Sequence, residues 1–298
     1  MNKHCYSIET LYYNSGLYDS AVDATYVISL ESYKDRYNSI VSQINKQKPS
    51  SVVHIVHNQG YKKCLKVRDC SPPDTFIDNP TKDLTDAYKY IFNDAQIKQY
   101  KYILILEDDA KFIYYPNLKS HIKSICDFVN KHKPDLYTLG NFNSSNKSGY
   151  HKKINWISPT TAIIYNVDAV TPIFNTDWQC EHETPHVDSQ FFSKHFNNKW
   201  LYYLPLFTQP FEKTENFNFW CLDWKDPVIK DSCMWSKKYL WEYLLPIMKS
   251  KPFLRFYFIF THYKTHIVIT IIILIILLNR HNIARVAKKI PHLKYTKH

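Results

Sequence analysis

The sequence predicts an α/β fold with a mostly parallel central sheet flanked by helices. Three observations carry that expectation. Apolar runs of strand length recur through the first two thirds of the chain, amphipathic segments separate them, and Pro, Asp and Asn clusters mark the joints. A run that is apolar throughout suits a strand covered on both faces, as strands in parallel sheets are. Strands that alternate with helices at this spacing close right-handed βαβ units.

Residues 1–22 show no clear period and read as an N-terminal arm. Ala24 to Leu30 is a β-rich apolar run, and Lys34 to Lys46 sets Tyr37, Ile40, Val41 and Ile44 at helical spacing. Ser51 to Val56 is a second strand, and residues 58–80 read as loop. Asp83 is placed to cap a helix running to about Lys98, with Leu84, Ala87, Tyr88 and Ile91 on one face. Tyr102 to Leu106 has the continuous apolar character of a buried parallel strand. Beyond it, Leu118 to Asn130 is helical, Asp135 to Leu139 and Thr160 to Asn166 are strands, and Asp168 to Phe174 and Val187 to His195 are short helices. The main domain is therefore expected over 23–215, followed by an aromatic-rich extension over 216–250 and an apolar segment with a basic tail over 251–298.

Composition bounds the function. With 298 residues, 45% of them hydrophobic, the chain has ample material for a globular core. It has only 4 glycines and neither a GxGxxG nor a Walker A motif, so a nucleotide must be held by some other device. A net charge of +11 suits an anionic partner. Nucleic acid is not expected to be that partner, because the basic residues are dispersed and no nucleic-acid-binding signature accompanies them. Membrane headgroups or a nucleotide diphosphate account for the charge equally well. The seven cysteines form no CxxC pair, which argues against a structural zinc site, and their odd count argues against a complete disulfide framework. Cys64 and Cys70 are near enough in sequence to pair in an oxidising compartment.

The sharpest feature is Glu107-Asp108-Asp109, three acids directly after an apolar strand. The carboxyl end of a strand in an open α/β sheet is where ligands bind. Three adjacent carboxylates repel one another unless a cation relieves them, and Mg²⁺ or Mn²⁺ does so while keeping positions open for phosphate oxygens. The plainer reading is a solvated turn whose acids cap the next helix.

At this point the residues resemble a known family. Val27 to Leu30 with Arg36, Leu84 to Ala87, and Tyr102 to Ala110 are similar to glycosyltransferase family 25, which includes lipopolysaccharide and collagen hydroxylysine galactosyltransferases. Thr161 to Tyr165 with Ala169, His186 to Asp188 with Gln190 to His195, and Leu201 to Pro205 leading to Gln209 resemble later family segments in matching order. The resemblance covers about residues 24 to 211. It implies a GT-A type nucleotide-diphospho-sugar transferase fold, a UDP-sugar donor (often UDP-galactose), Mn²⁺ or Mg²⁺, a glycan or protein acceptor, and inversion at the anomeric carbon. Asp109 would be the principal metal ligand, supported by Asp108 and Glu107. Arg36, Glu107 and Asp108 would also face the nucleotide, and Asp188 would be the general base. The competing readings are that Asp188 caps a helix and that Arg36 is a solvated helix residue. His182 or His186 is a candidate for a further metal ligand. Many members carry Ser-His where this chain has Thr85-Asp86. That departure motivates an alternative, a membrane-associated binding protein that keeps the GT-A fold without catalysis. A metal-dependent nuclease would suit the charge but leaves the ordered downstream matches unexplained.

The tail contains Ile267 to Leu278, twelve residues of nearly pure Ile and Leu. As a helix it spans roughly 18 Å at about 1.5 Å per residue, against about 30 Å for a bilayer core. With Arg280, Arg285, Lys288 and Lys289 beyond it, the segment reads as a short or tilted membrane anchor of unresolved orientation. The alternative is a helix buried against protein.

Overall fold

The structure, a computed structural model, describes residues 2–68, 70, 76–115, 117–140, 149–157, 160–181 and 185–209. The chain divides into two compact units, Met1–Leu245 and Pro246–His298, and all described residues lie in the first. The aromatic extension, the apolar tail segment and His182 fall outside the described residues. Among the described residues, no helix is long and apolar enough to cross a membrane.

The elements follow one another as β1 (Tyr6–Tyr12), β2 (Ala24–Leu30), α1 (Lys34–Gln47), β3 (Val52–Asn58), α2 (Pro80–Ile97), β4 (Tyr102–Glu107), β5 (Lys111–Phe112), α3 (Leu118–His132), β6 (Leu136–Thr138), β7 (His151–Lys153), β8 (Ala162–Asn166), α4 (Val167–Phe174), β9 (Lys199–Tyr202) and β10 (Phe207–Thr208). One large sheet has the order β1-β3-β2-β4-β8-β6-β9-β7, and β5 pairs with β10 apart from it. Strands β3, β2, β4, β6 and β9 point the same way, because β8 pairs antiparallel with both β4 and β6. The sheet is thus mixed rather than purely parallel, and the α/β architecture is compatible with a GT-A-like fold.

The arm expected over residues 1–22 is not an arm. Tyr6–Tyr12 pairs antiparallel with β3 along its whole length and closes one edge of the sheet. The strand was hidden because it is an edge strand whose residues are mostly half-buried, and no apolar run marks it.

Alternation along the central strands sorts residues between two cores. Val27, Val53, Ile55, Leu104 and Leu106 pack with Ile40 and Ile44 of α1 and with Ile122, Ile125 and Val129 of α3. On the opposite face an aromatic stack joins α2 and α4 to the sheet: Tyr88 and Phe92 lie against Tyr165, and Phe92 against Phe174. This stack supplies both apolar area and edge-to-face ring contacts.

Helix α2 begins four residues earlier than the sequence suggests. Asn79, not Asp83, is its N-cap: the Asn79 side chain accepts from the Thr81 and Lys82 amides, and Pro80 follows at the first helical position. Asp83 is instead buried, with its Oδ1 accepting from Lys66 Nζ at 2.6 Å and its Oδ2 from Asn58 Nδ2 at 2.9 Å. Lys66 is fully buried and also donates to Asn58 Oδ1 (2.6 Å) and to the Tyr6 hydroxyl (2.9 Å). Each of its three ammonium protons is thereby used. Burial pushes the Asp83 carboxyl up, against the pull of Lys66.

The cysteines pair otherwise than expected. Cys5 bonds Cys64 and Cys70 bonds Cys180, while Cys126 is free and buried. Cys64 and Cys70 are close only along the chain; folding brings each to a partner 59 or 110 residues away. Local spacing carried no information about either contact.

Candidate active site

The ends of β2, β3 and β4 lie together because the three strands are parallel neighbours, with Leu30 opposite Asn58 and Ile28 opposite Glu107. The acidic residues leave the sheet at this edge. The Ala110 amide donates to the Glu107 carbonyl at 2.9 Å and closes a turn through Asp108 and Asp109. Gln43 of α1 clamps the far side of the turn, donating to the Ala110 carbonyl (3.2 Å) and accepting from the Phe112 amide (2.9 Å). The turn is thereby held from a helix as well as from the strand.

The three carboxylates face different partners. Asp108 Oδ1 accepts from Arg36 Nη1 at 3.2 Å, and its Oδ2 accepts from the Leu30 amide at 3.2 Å. Asp109 lies 3.9 Å from the same guanidinium nitrogen, and its Oδ2 accepts from Gln209 Nε2 at 2.9 Å. Glu107 Oε1 accepts from the Thr160 hydroxyl at 2.6 Å. Both aspartates are buried. Burial raises the Asp108 carboxyl although Arg36 opposes the shift. Glu107 is pushed up to about 8, first by burial and then by the negative charge of Asp109, with Asp108 and Asp188 adding to it.

Arg36 therefore sits on the acidic turn and not in solvent. It lies in the first turn of α1, 4.9 Å above the Tyr33 ring, with its guanidinium directed at Asp108. Asp188 lies in the first turn of a π-helix, Val187–Phe192, where its Oδ1 accepts from the Ser189 amide at 2.6 Å. That bond satisfies part of what a cap would. The Asp188 charge nevertheless acts on Glu107 and on the buried Tyr88 and Tyr165, so the structure brings it to the same acidic region. His186 donates its amide to Gln190 Oε1 at 2.6 Å and is the N-cap of this π-helix.

Gln209 was legible only as the closing glutamine of the family resemblance. Its position follows from β10: Thr208 pairs with Lys111, so the next residue reaches back to Asp109. Its side-chain Oε1 accepts from the Thr161 hydroxyl at 3.2 Å, and Thr161 stands just before β8. Thr160 and Thr161 were missed as site residues because nothing local distinguishes two threonines preceding a strand. The antiparallel pairing of β8 with β4 sets them beside Glu107.

The Thr85-Asp86 departure has a structural account. Thr85 donates its hydroxyl to the Thr81 carbonyl (2.9 Å) and lies 3.2 Å from the Pro185 carbonyl, linking α2 to the segment that leads to Asp188. Asp86 accepts from the Tyr6 hydroxyl (2.7 Å) and from Asn2 (3.1 Å), fastening β1 to α2.

The donor set at the acidic turn is all oxygen, which suits a hard divalent cation such as Mg²⁺ or Mn²⁺. Four carboxylates (Glu107, Asp108, Asp109 and Asp188) share the region with the Arg36 guanidinium.

No family model matches the chain, and no curated protein matches it. Several solved structures bear a weak likeness to it, among them the following two. One is A197 from STIV, with 11% identity, 64% of this chain and 86% of that one covered, and a TM-score of 0.34. The other is a glycosyltransferase involved in the glycosylation of the major capsid of PBCV-1, with 13% identity, 71% and 98% covered, and a TM-score of 0.37. Similarity at this level assigns no activity to the chain, and the chemistry has to be read from its own residues.

Proposed function

We propose that the chain is a metal-dependent, inverting glycosyltransferase, similar to family 25, that moves a sugar from a nucleotide-sugar donor to a hydroxyl of a glycan or protein. The observation that carries this reading is the gathering of Asp108, Asp109, Arg36 and Gln209 at the ends of β2 and β4, with the Asp188 charge acting on the same region. Asp108 and Asp109 would hold Mn²⁺ or Mg²⁺, with Glu107 behind them. The bound cation would supply charge neutralisation for a diphosphate leaving group.

The chain's own residues would do the rest. Arg36 is placed to transfer its contacts from Asp108 to phosphate oxygens, for which a planar guanidinium is suited. Gln209 would keep Asp109 turned toward the ligand. Asp188 would take the proton of the acceptor hydroxyl as that oxygen attacks the anomeric carbon and the bond to the diphosphate breaks. A UDP-sugar, with galactose as the first sugar to try, is the donor we propose. Residues 267–278 would bring the protein to a membrane surface, which sedimentation with anionic vesicles tests.

Release of UDP from a panel of UDP-sugars in Mn²⁺ tests the reaction, with Asp109→Asn as the control. Metal-dependent release that the substitution removes supports the reading. Metal-dependent UDP binding without turnover on any donor would favour the binding-protein alternative. Failure to bind any nucleotide diphosphate would sink both.

A further inference from the structure

Cys5 and Cys64 stand 59 residues apart, yet their sulfurs and a ring nitrogen of His4 all lie within 4.8 Å of one another. What holds them there is not only the bond between the sulfurs. On the side of Cys5, its amide donates to the Asn2 carbonyl (3.0 Å) and its carbonyl accepts from the Gln59 amide (3.2 Å). On the side of Cys64, its amide and that of Lys63 donate to the Gly60 carbonyl at 3.0 and 3.1 Å, in a turn where Gly60 takes a φ of +78°. Asn2 then grips Val67 twice, donating to its carbonyl and accepting from its amide, both at 3.0 Å. Lys66 reaches across to the Tyr6 hydroxyl at 2.9 Å. Residues 2–6 and 64–67 are thus clamped side by side, and two thiols would stay adjacent if the bond between them were cleaved.

We propose that His4, Cys5 and Cys64 form a redox-gated site for a thiophilic divalent cation of the Zn²⁺ class. In oxidising surroundings the two sulfurs form the disulfide and the site is closed. Two equivalents of an external thiol reduce it, giving Cys5 and Cys64 as thiols and the external disulfide as product. Binding Zn²⁺ then releases the two thiol protons to solvent and forms two Zn–S bonds and one Zn–N bond, with water in the fourth position. The cysteines are buried and His4 is exposed, so the ion has a route in past the imidazole. Either fastening, disulfide or metal, ties the start of β1 to the loop after β3. The absence of a CxxC pair argued against zinc from spacing alone; the fold assembles a ligand set that spacing does not contain.

Zinc uptake by the full chain, read by chelator competition and native mass spectrometry, tests this in a Cys70→Ser/Cys180→Ser background and in the natural chain. Expected is one additional Zn²⁺ in the reduced protein and none in the oxidised protein. Cys64→Ser should remove the uptake, and His4→Ala, a change at an exposed residue, should weaken it at least about tenfold. Equal uptake by both redox forms, uptake that survives Cys64→Ser, affinity unchanged in His4→Ala, or no uptake by the reduced chain would overturn the proposal. None of these readouts depends on sugar transfer.

Discussion

Two clusters of buried charge lie side by side at the ends of neighbouring strands in the sheet, and they are balanced differently. At the end of β3, Lys66 meets Asp83, and Asn58 and Tyr6 take up the remaining hydrogen-bonding capacity. At the ends of β2 and β4, Glu107, Asp108 and Asp109 gather with Asp188 near, and Arg36 is directed at two of them. The first cluster is closed: Lys66 meets Asp83 directly, Asp86 joins through the Tyr6 hydroxyl, and Asn58 completes the shell. The second holds more negative than positive charge; burial raises Glu107 and Asp108, as it raises Asp83 in the first cluster, and at Glu107 the neighbouring acids add to the shift. Buried acids that are fully matched stabilise a particular arrangement, whereas an excess of acid leaves capacity for a cation from outside.

That contrast can be broken most strongly at Lys66. Lys66→Met leaves the Asp83 charge buried without its cation and should cost about 3 to 5 kcal/mol of stability. Denaturant unfolding followed by circular dichroism measures it, and adding Asp83→Leu should recover much of the loss. If Lys66→Met is neutral, the two clusters do not differ as argued. Asp109→Asn should do the opposite, sparing stability while cutting metal-dependent UDP release by at least about 100-fold. Comparable melting of the variant and the natural chain is part of that expectation.

Gln209→Ala removes the amide that holds Asp109 and should weaken Mn²⁺ affinity by about tenfold, as loss of a supporting hydrogen bond to a ligand commonly does. Calorimetry with Mn²⁺ and UDP would show it, and unchanged affinity would mean that Asp109 is positioned by the turn alone.

The most gradual effect is a pH slope. Glu107 titrates near 8 in the folded protein against 4.5 for an ordinary glutamate. Between those values the unfolded chain has lost a proton that the folded chain keeps, so stability falls as pH rises. The contribution is whole below about 4.5 and gone above about 8. Its slope is at most about 1.4 kcal/mol per pH unit. In metal-free buffer the melting temperature should decline across this window, and Glu107→Gln should flatten the decline. An identical slope in the variant would place the effect elsewhere.

How much of this was legible depended on the range of the interactions involved. Strands β2 and β4 announced themselves because, Ser29 and the closing Glu107 aside, their residues are apolar or β-branched and covered on both faces, and α1 and α3 because their buried residues recur at helical spacing. Strand β1 did not, since only its pairing with β3 makes Tyr6–Tyr12 a strand. Asp83 and Asp109 look alike as acids in a chain, and only the position of Lys66, 17 residues away from the first, separates a structural pair from a candidate site.

By itself the sequence determined the α/β class, the order of the central strands and helices along the chain, and the placing of Glu107, Asp108 and Asp109 at the end of a buried strand. Hydrophobic periodicity and strand composition are properties of adjacent residues, so the linear chain records them. The tertiary structure alone decided the mixed sheet, the partners of Cys5, Cys64, Cys70 and Cys180, the contact of Gln209 with Asp109, and the closed shell around Lys66. These contacts join residues from 8 to 110 positions apart, and the tertiary arrangement of the chain rather than local preference sets them.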